Sequence, residues 1–305
     1  MITNQNSTIM DWTRRDLLKG LGGLPILGAV WWAGAAGVDR KMRERTQILE
    51  QLNIMPSLPP TVPGIEGDPI RVGIIGFGIR GEQLCRSLGF ATQEWKEEMR
   101  LAAEEDPNHT ALADFEKQDK LNIKLVGVCD VFDVRAEKAL RSFNTDDNKI
   151  KRYDTYTAMI HSGEVDAVVI ATPDHWHAPM SIEALNNNVS VYVEKPMTHT
   201  VEETYRLREA ARASKATFAV GHQHRQTLSF RTARDIVEKG TLGHVSLIQT
   251  NTNRNDDNGA WNYDIHEKAN PQTIDWEQFL GSAPNVPFNK NHFFRWRKWW
   301  AYGSG

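Results

Sequence analysis

The chain has 305 residues, of which 40% are hydrophobic and 25% are charged, a composition typical of a soluble globular protein with one large or two ordinary domains. The formal net charge of −3 excludes the basic surface of a nucleic-acid-binding protein, so no nucleic-acid partner is expected. Two cysteines cannot form a disulfide framework, and the apolar surroundings of Cys85 and Cys129 predict buried free thiols.

The first 38 residues have the order of an export signal. Arg14-Arg15 precede an uncharged apolar run, "LGGLPILGAVWWAGAAGV", in which the small residues Ala33–Ala35 suit cleavage. The arginine pair predicts the twin-arginine route. We therefore expect a periplasmic or membrane-associated protein whose membrane contact is confined to residues 1–38. Alternatively the run is retained as an anchor, although it barely reaches the roughly 20 residues that cross a bilayer.

A linker and two domains are predicted after the signal. Residues 39–68 are a charged segment followed by the proline-rich "PSLPPTVPG". Residues 69–222 alternate short apolar runs with amphipathic runs, which predicts an α/β Rossmann domain with a doubly wound parallel sheet. The predicted strands are "IRVGIIG", "IKLVGVCD", "DAVVIATP", "VSVYVEKP" and "ATFAVGH". Residues 223–305 are predicted to begin an α+β domain for substrate binding or oligomerisation, with a largely antiparallel open sheet whose first strand lies at 243–255.

A glycine motif follows the first predicted strand. Gly76, Gly78 and Gly81 have G-x-G-x-x-G spacing between a strand and a helix, the arrangement that cradles a dinucleotide pyrophosphate. The first glycine permits a tight turn, the second lets the backbone approach the phosphates, and the third lets the helix pack on the strand. Ile79 and Arg80 complete the predicted cofactor-binding loop. A glycine turn without a nucleotide is the alternative.

An acidic residue ends the second predicted strand. A carboxylate at Asp130 can accept hydrogen bonds from ribose hydroxyls and repels a 2′-phosphate, which predicts NAD as the cofactor and makes NADP a poorer fit. Asp130 lies farther from the last glycine than the usual distance of about 20 residues. We therefore predict a polar, helix-forming insertion over residues 90–120.

Three later predicted strands end in polar residues of the types that catalytic and ligand-binding sites use. In a doubly wound sheet, ligands bind beyond the carboxyl ends of the strands, so these residues are expected to meet near the nicotinamide. The set comprises Thr172, Pro173, His175, Trp176 and His177 after one strand, Glu194 and Lys195 after the next, and His224 and Arg225 after the last.

Four stretches resemble motifs of a known family. They are "RVGIIGFGIRGEQL", "VGVCDVFDVRAE", "VVIATPDHWHAPMSIEAL" and "VYVEKPMTHTVEE", of which the tripeptide E-K-P is the most specific. Over about residues 70–225 the sequence is similar to the glucose–fructose oxidoreductase, inositol dehydrogenase and rhizopine-catabolism (Gfo/Idh/MocA) family. The resemblance implies an oxidoreductase that transfers a hydride between a sugar or polyol hydroxyl and a tightly bound NAD, with a carbohydrate as substrate and a homo-oligomer as a possible assembly.

The resemblance also implies roles for individual residues. Lys195 matches the catalytic lysine, which hydrogen-bonds the hydroxyl being oxidised, and His177 matches a histidine assigned here as catalytic. Pro196 matches a proline whose preceding peptide bond is often cis. The remaining strand-end residues are divided between the cofactor and the substrate: Thr172, Pro173, His175 and Glu194, with Lys195, for NAD, and Trp176, His224 and Arg225 for the substrate.

One family motif has no counterpart in the chain. Family members carry a further Asp and His on a helix of the second domain, and "FRWRKWWAYGSG" is similar to the stretch immediately before it. We therefore expect a C-terminally truncated chain that binds NAD but lacks a complete catalytic domain. The tryptophans of this stretch either stack on a sugar ring or pack beneath the second sheet: Trp296, Trp299 and Trp300.

Three other hypotheses stay open. A redox-assisted glycosidase or lyase would work through a keto-sugar intermediate, although the E-K-P motif argues against the known glycosidase subtype. A metal site in the H-x-H pairs His175/His177 and His222/His224 is conceivable from the spacing, but no metal is predicted. A non-catalytic nucleotide-binding fragment is the third.

Overall fold

The computed structural model describes residues 67–146, 148–223, 227–251 and 259–304, together with Gln47, Glu50, Arg225 and Asp257. The predicted signal segment and nearly all of the predicted linker lie outside these residues. Within the described part of the chain, no helix is both long enough and apolar enough to cross a membrane.

A six-stranded parallel sheet with the strand order β3-β2-β1-β4-β5-β6 forms the centre of the fold. Its strands are β1 (Ile70–Ile75), β2 (Ile123–Cys129), β3 (Lys151–Arg152), β4 (Ala167–Ile170), β5 (Ser190–Glu194) and β6 (Phe218–Gly221). The five predicted strands are confirmed. The sequence did not indicate β3, because two residues cannot make an apolar run. Strand order reverses beside β1, which pairs with both β2 and β4 and so creates the crevice where such sheets bind ligands.

Helices cover both faces of the sheet, as the doubly wound pattern predicts. They are α1 (Ile79–Ser87), α2 (Gln93–Glu105), α3 (Ala111–Lys117), α4 (Asp133–Phe143), α5 (Tyr156–Ile160), α6 (His177–Asn186), α7 (Val201–Ala213), α8 (Leu228–Glu238), α9 (Trp276–Leu280) and α10 (Lys290–Phe294). Helices α2 and α3 form the insertion predicted over residues 90–120. Helix α7 begins with a capping box between Thr200 and Glu203, which satisfies backbone amides that the helix leaves free.

Two apolar layers hold the helices against the sheet. One layer packs α1 and α4 on one face, and the other packs α5, α6 and α7 on the opposite face. Cys85 and Cys129 are buried in these layers as free thiols, as predicted. Burial raises the pKa of both thiols to about 12, so neither is a reactive thiolate at neutral pH.

A third apolar cluster joins residues 259–304 to the carboxyl edge of the sheet. Phe132, just after β2, is 1% exposed and packs edge-on against Phe293 and Phe294. It also forms an antiparallel bridge with Ile274. The described residues from 67 to 223 and from 250 to 304 belong to one compact unit. The predicted start of a second domain at residue 223 stays a prediction.

Described residues of 225–249 belong to the other compact unit. Helix α8 lies there, and residues 243–251 form no strand and are exposed. The antiparallel strand predicted over 243–255 is therefore not formed in its described part. The physical reason is that a strand needs a hydrogen-bonded neighbour, and no described segment pairs with this one.

Candidate dinucleotide and substrate site

The glycine loop between β1 and α1 is built for close backbone approach. Gly76 has φ +87°, and a Cβ there would lie 2.9 Å from the Ala171 carbonyl group. A Cβ at Gly81 would lie 2.1 Å from the Gly76 carbonyl oxygen. Gly78 starts the helix and offers no side-chain cap, so the first amides of α1 stay available to an anion. The loop therefore fits a pyrophosphate, as the spacing predicts.

Asp130 lies directly after β2 and faces this loop. Its Oδ2 accepts a hydrogen bond from the Phe77 amide at 2.7 Å, and its Oδ1 accepts one from the Phe132 amide at 2.8 Å. Burial raises the pKa of the Asp130 carboxyl, while the nearby Arg135 cation and these two amides oppose that rise. Each oxygen keeps a second lone pair for a ribose hydroxyl.

Arg135 lies beside the glycine loop, and the sequence alone did not single it out. A Cβ on Gly78 would lie 3.4 Å from a terminal guanidinium nitrogen of Arg135. The guanidinium stacks over the rings of Phe132, Phe293 and Phe294, at 5.3–5.7 Å from their centroids. The signal in the sequence was an arginine in the first turn of the helix that follows Asp130. A cation at this position adds positive charge to the loop.

Lys195 lies at the exit of β5, on the same edge of the sheet. Its side chain is exposed and makes no hydrogen bond or ion pair with any described residue. The Lys195–Pro196 peptide bond is cis, in line with the family resemblance. The ammonium is thus free to contact a ligand, and the catalytic role of Lys195 stays a prediction.

The neighbouring Glu194 is engaged within the protein. Its buried Oε1 accepts a hydrogen bond from Nε of Arg80 at 2.8 Å, which makes an ion pair between β5 and the start of α1. Ile79, by contrast, is 62% exposed. Glu194 and Arg80, both predicted to bind the cofactor, therefore link the glycine loop to the lysine strand.

His177 is buried and has both ring nitrogens engaged. Nδ1 lies 2.6 Å from the carbonyl oxygen of Pro196, and Nε2 lies 2.8 Å from that of Thr172. Both ring nitrogens thus lie within hydrogen-bonding distance of backbone carbonyl oxygens. The ring therefore ties the loop after β4 to the loop after β5. This geometry corrects the predicted catalytic role, since neither nitrogen is left to exchange a proton with a substrate.

His175 and Trp176 are directed into the protein rather than toward a ligand. His175 Nε2 and Trp176 Nε1 both lie near the Phe279 carbonyl oxygen, at 2.9 and 3.0 Å. Burial lowers the pKa of His175, so its imidazole is neutral at neutral pH. The Trp176 ring packs where a Cβ on Gly281 would collide with it at 2.3 Å. The predicted cofactor role of His175 and substrate role of Trp176 are therefore corrected to packing of α9.

Other predicted residues are partly exposed or outside the described part. Thr172 and Pro173 lie at the end of β4, half-buried, beside the glycine loop. Arg225 is exposed and belongs to the other compact unit, and His224 lies outside the described residues. Asp174, which follows the same strand, is buried, and its Oδ2 accepts hydrogen bonds from the amide and hydroxyl of Ser304, at 3.0 and 3.2 Å.

The tryptophans near the end of the chain differ in exposure. Trp296 and Trp299 pack against the third apolar cluster, whereas Trp300 is 79% exposed. Among the described residues no group of three or more His, Cys, Asp or Glu side chains could hold a metal ion. The nitrogens of His175 and His177 contact three different carbonyl groups, so this pair does not chelate.

Known proteins with similar sequences are oxidoreductases and a glycosidase. Inositol 2-dehydrogenase of Salmonella typhimurium is 28% identical over 127 residues, which is 41% of this chain and 37% of that protein. The rhizopine catabolism protein MocA of Rhizobium meliloti is 32% identical over 110 residues, 36% of this chain and 35% of that protein. Glycosyl hydrolase family 109 protein 2 of Shewanella sp. strain ANA-3 is 33% identical over 146 residues, 47% of this chain and 26% of that protein. In each comparison the matched region spans well under half of the relative's length.

Solved structures are similar to part of the chain at lower identity. A myo-inositol 2-dehydrogenase from Lactobacillus plantarum is 25% identical with a TM-score of 0.43, over 58% of this chain and 43% of that protein. The myo-inositol dehydrogenase of Lactobacillus casei, in complex with NAD(H) and myo-inositol, is 20% identical with a TM-score of 0.44, over 57% of this chain and 43% of that protein. Residues 70–222, half of the chain, match the oxidoreductase family with the NAD-binding Rossmann fold. The protein therefore belongs to the Gfo/Idh/MocA family of NAD-binding oxidoreductases.

Proposed function

We propose that this chain forms the NAD-binding part of an enzyme that transfers a hydride between a sugar or polyol hydroxyl and the nicotinamide. The observation that carries the proposal is the position of three features at one edge of one sheet: the glycine loop after β1, Asp130 after β2 and Lys195 after β5. Ligands of open α/β sheets bind at this edge.

The residues present fit a dinucleotide. The space above Gly76 and Gly81 admits no side chain, and the uncapped start of α1 suits a pyrophosphate. Asp130 keeps acceptor capacity for ribose hydroxyls, and Arg135 adds a cation beside Gly78. When bound, the nicotinamide supplies the hydride acceptor. The chain's own contribution is to orient the cofactor along the sheet edge.

Lys195 is the residue best suited to act on the substrate oxygen. It is exposed and free of partners among the described residues, so its ammonium can hydrogen-bond the hydroxyl that loses its hydrogen. In this position the neutral amine of a lysine takes up the hydroxyl proton as the carbon is oxidised, and the ammonium returns it as the carbonyl is reduced. Arg80 and Glu194 hold its strand against the glycine loop, and His177 holds the loop that follows.

The matched relatives guide the choice of substrate, and the predicted export signal bears on how the cofactor is held. Inositol 2-dehydrogenases are among the matched proteins, which favours a polyol or sugar substrate for this chain. We further propose a tightly held cofactor, because the predicted twin-arginine signal would take the protein to a compartment where free NAD is scarce. The export route itself stays a prediction, since residues 1–38 lie outside the described part.

A redox-assisted glycosidase is a second candidate. It is favoured by the 33% identity to glycosyl hydrolase family 109 protein 2 of Shewanella over the largest share of this chain among the relatives named above. Such an enzyme would use the same cofactor site, oxidise a sugar hydroxyl transiently and return the hydride. Release of an aglycone without net NADH production would distinguish it from a dehydrogenase.

The cofactor site is tested by replacing its acid. We expect Asp130→Ala to weaken NAD binding by about 10- to 100-fold, because a carboxylate that bonds ribose hydroxyls is lost. Isothermal titration with NAD measures the change, and circular dichroism checks that the variant is folded. Asp114→Ala, which removes an exposed carboxylate from insertion helix α3, is the matched control and should bind as the wild type does. Equal NAD affinity in Asp130→Ala and wild type would refute the ribose assignment.

A further inference from the structure

A cavity of about 480 Å³ lies beside Asp130, between the sheet edge and a distant part of the chain. One wall comprises Asp130, Val131, Asp133, Arg152 and Asp154, at and beyond the ends of β2 and β3. The other wall is residues 271–278, here named the strap. The volume lies within the range of about 300–1,000 Å³ that is typical of small-molecule sites.

Backbone hydrogen bonds fasten the strap across the end of β2. The Asp275 amide donates to the Val131 carbonyl at 2.8 Å, and the Asp133 amide donates to the Thr273 carbonyl at 2.9 Å. Gln278 Nε2 donates to the Asp154 carbonyl at 3.0 Å, which closes the far side. The strap is thus held by hydrogen bonds to the segments that follow β2 and β3, on both sides of the cavity.

Carboxylates dominate the cavity walls. Asp130, Asp133 and Asp154 face Asp275 and Glu277 of the strap, and the cation Arg152 is paired with Asp133. Walls of this kind accept hydrogen bonds from amino and hydroxyl groups and repel phosphate. A metal ion is a poorer fit, because no group of three or more such ligands converges within the described residues.

We propose that the strap forms the outer wall of the adenosine subsite, so that the adenosine end of NAD is enclosed between residues 130–154 and residues 271–278. The proposal rests on the NAD site proposed above and extends it to a segment outside the Rossmann domain. It assigns the strap carboxylates a role in excluding a 2′-phosphate, in addition to Asp130. Enclosure of the adenosine end also gives a structural reason for slow cofactor release.

Glu277 offers the cleanest test of the strap. Its side chain is exposed and makes no hydrogen bond or ion pair with a described residue, so its replacement should not disturb the fold. Affinities for NAD and NADP would be measured by isothermal titration for the wild-type chain, Glu277→Gln, Glu277→Lys and the control Glu116→Lys in α3. We expect the ratio of NADP to NAD affinity to rise about tenfold in Glu277→Lys and less in Glu277→Gln, with no change in Glu116→Lys.

Hydrogen–deuterium exchange supplies a second readout that does not depend on a variant. Exchange in peptides covering residues 271–278 should slow when adenosine or NAD is added to the wild-type chain. Binding of NAD with an unchanged affinity ratio in Glu277→Lys and unchanged exchange in the strap would overturn this inference and leave the proposed function intact. A wild-type chain that binds no NAD would overturn the proposed function, and this inference with it.

Discussion

Individual side chains at the sheet edge take different roles according to what each one touches. Glu194 and Lys195 are adjacent in sequence, yet the glutamate is buried in an ion pair with Arg80 and the lysine is exposed. Alternation along the strand exit explains the difference, because successive side chains point to opposite sides. Glu194 therefore holds β5 against the start of α1, whereas Lys195 is left to act in the proposed proton transfer.

Replacement of the lysine separates cofactor binding from chemistry. We expect Lys195→Met to slow the reduction of bound NAD by a polyol by about 100-fold or more, because a positioned proton-transfer group contributes on that order. NAD affinity should stay within about threefold of wild type, since the ammonium makes no bond that holds the glycine loop. NADH absorbance in single-turnover experiments measures the rate.

Lys215→Met, which removes an exposed lysine between α7 and β6, is the control for the loss of charge. It should reduce NAD at the wild-type rate. A Lys195→Met variant that also reduces NAD at the wild-type rate would show that another group acts on the substrate oxygen.

At the level of elements, short segments with buried polar groups connect the strand ends. The 3₁₀ turn Asp174–Trp176 runs directly into α6, and its His175 bonds the last turn of α9. Nδ1 of His175 is buried without a hydrogen-bond partner among the described residues, and three aromatic rings surround the imidazole. A charged imidazole would be costly in this environment.

The stability of this contact should depend on pH. His175 has a pKa below its ordinary value of 6.5 because it is desolvated by burial. The unfolded chain therefore takes up a proton at a pH where the folded chain does not, so the stabilisation is full above about pH 6.5 and falls as the pH drops through that value. We expect a lower free energy of unfolding at about pH 5.5 than at about pH 7.5. Urea denaturation at the two pH values measures the difference.

His175→Gln should reduce this pH dependence, because glutamine keeps an N–H donor for the Phe279 carbonyl group and does not titrate. His292, whose pKa is also lowered by burial, will leave a residual slope. An unchanged slope in His175→Gln would show that other groups control acid stability.

Across the whole described molecule, apolar residues that are far apart in sequence form one core at the sheet edge. Phe132 follows β2, yet its ring contacts come from residues 259–304. Phe279 and Tyr302 add further rings to the same cluster, with centroids 5.0 Å apart. This cluster, together with the strap, makes residues 259–304 part of the unit that carries the proposed NAD site.

Loss of the central ring should weaken the unit as a whole. We expect Phe132→Ala to lower the free energy of unfolding by about 3–5 kcal/mol, because a fully buried ring is replaced by a cavity. Denaturant unfolding followed by tryptophan fluorescence measures it, since five tryptophans lie in or beside residues 259–304. Leu247→Ala, at a position 80% exposed, should change stability by less than about 0.5 kcal/mol. Equal losses in the two variants would show that Phe132 is not central to the core.

Local patterns were enough to predict much of the Rossmann domain. The apolar runs of β1, β2, β4, β5 and β6, the spacing of Gly76, Gly78 and Gly81, and the position of Asp130 all follow from neighbours in sequence. Strand periodicity and turn chemistry are local properties, so one sequence suffices to indicate them. The position of Lys195 at the sheet edge followed in the same way, because parallel strands end at the same edge.

Contacts between distant residues were decided only by the tertiary structure. The sequence could not show that both nitrogens of His177 would meet carbonyl groups, that Trp176 would pack on Gly281, or that residues 271–278 would lie across the end of β2. Each depends on which segment packs against which, and therefore on burial summed over the whole core rather than on a local pattern. The same reason explains why the strand predicted at 243–255 is not formed in its described part. Alternation of apolar and polar residues makes a strand possible, but a hydrogen-bonded neighbouring strand is needed to form it.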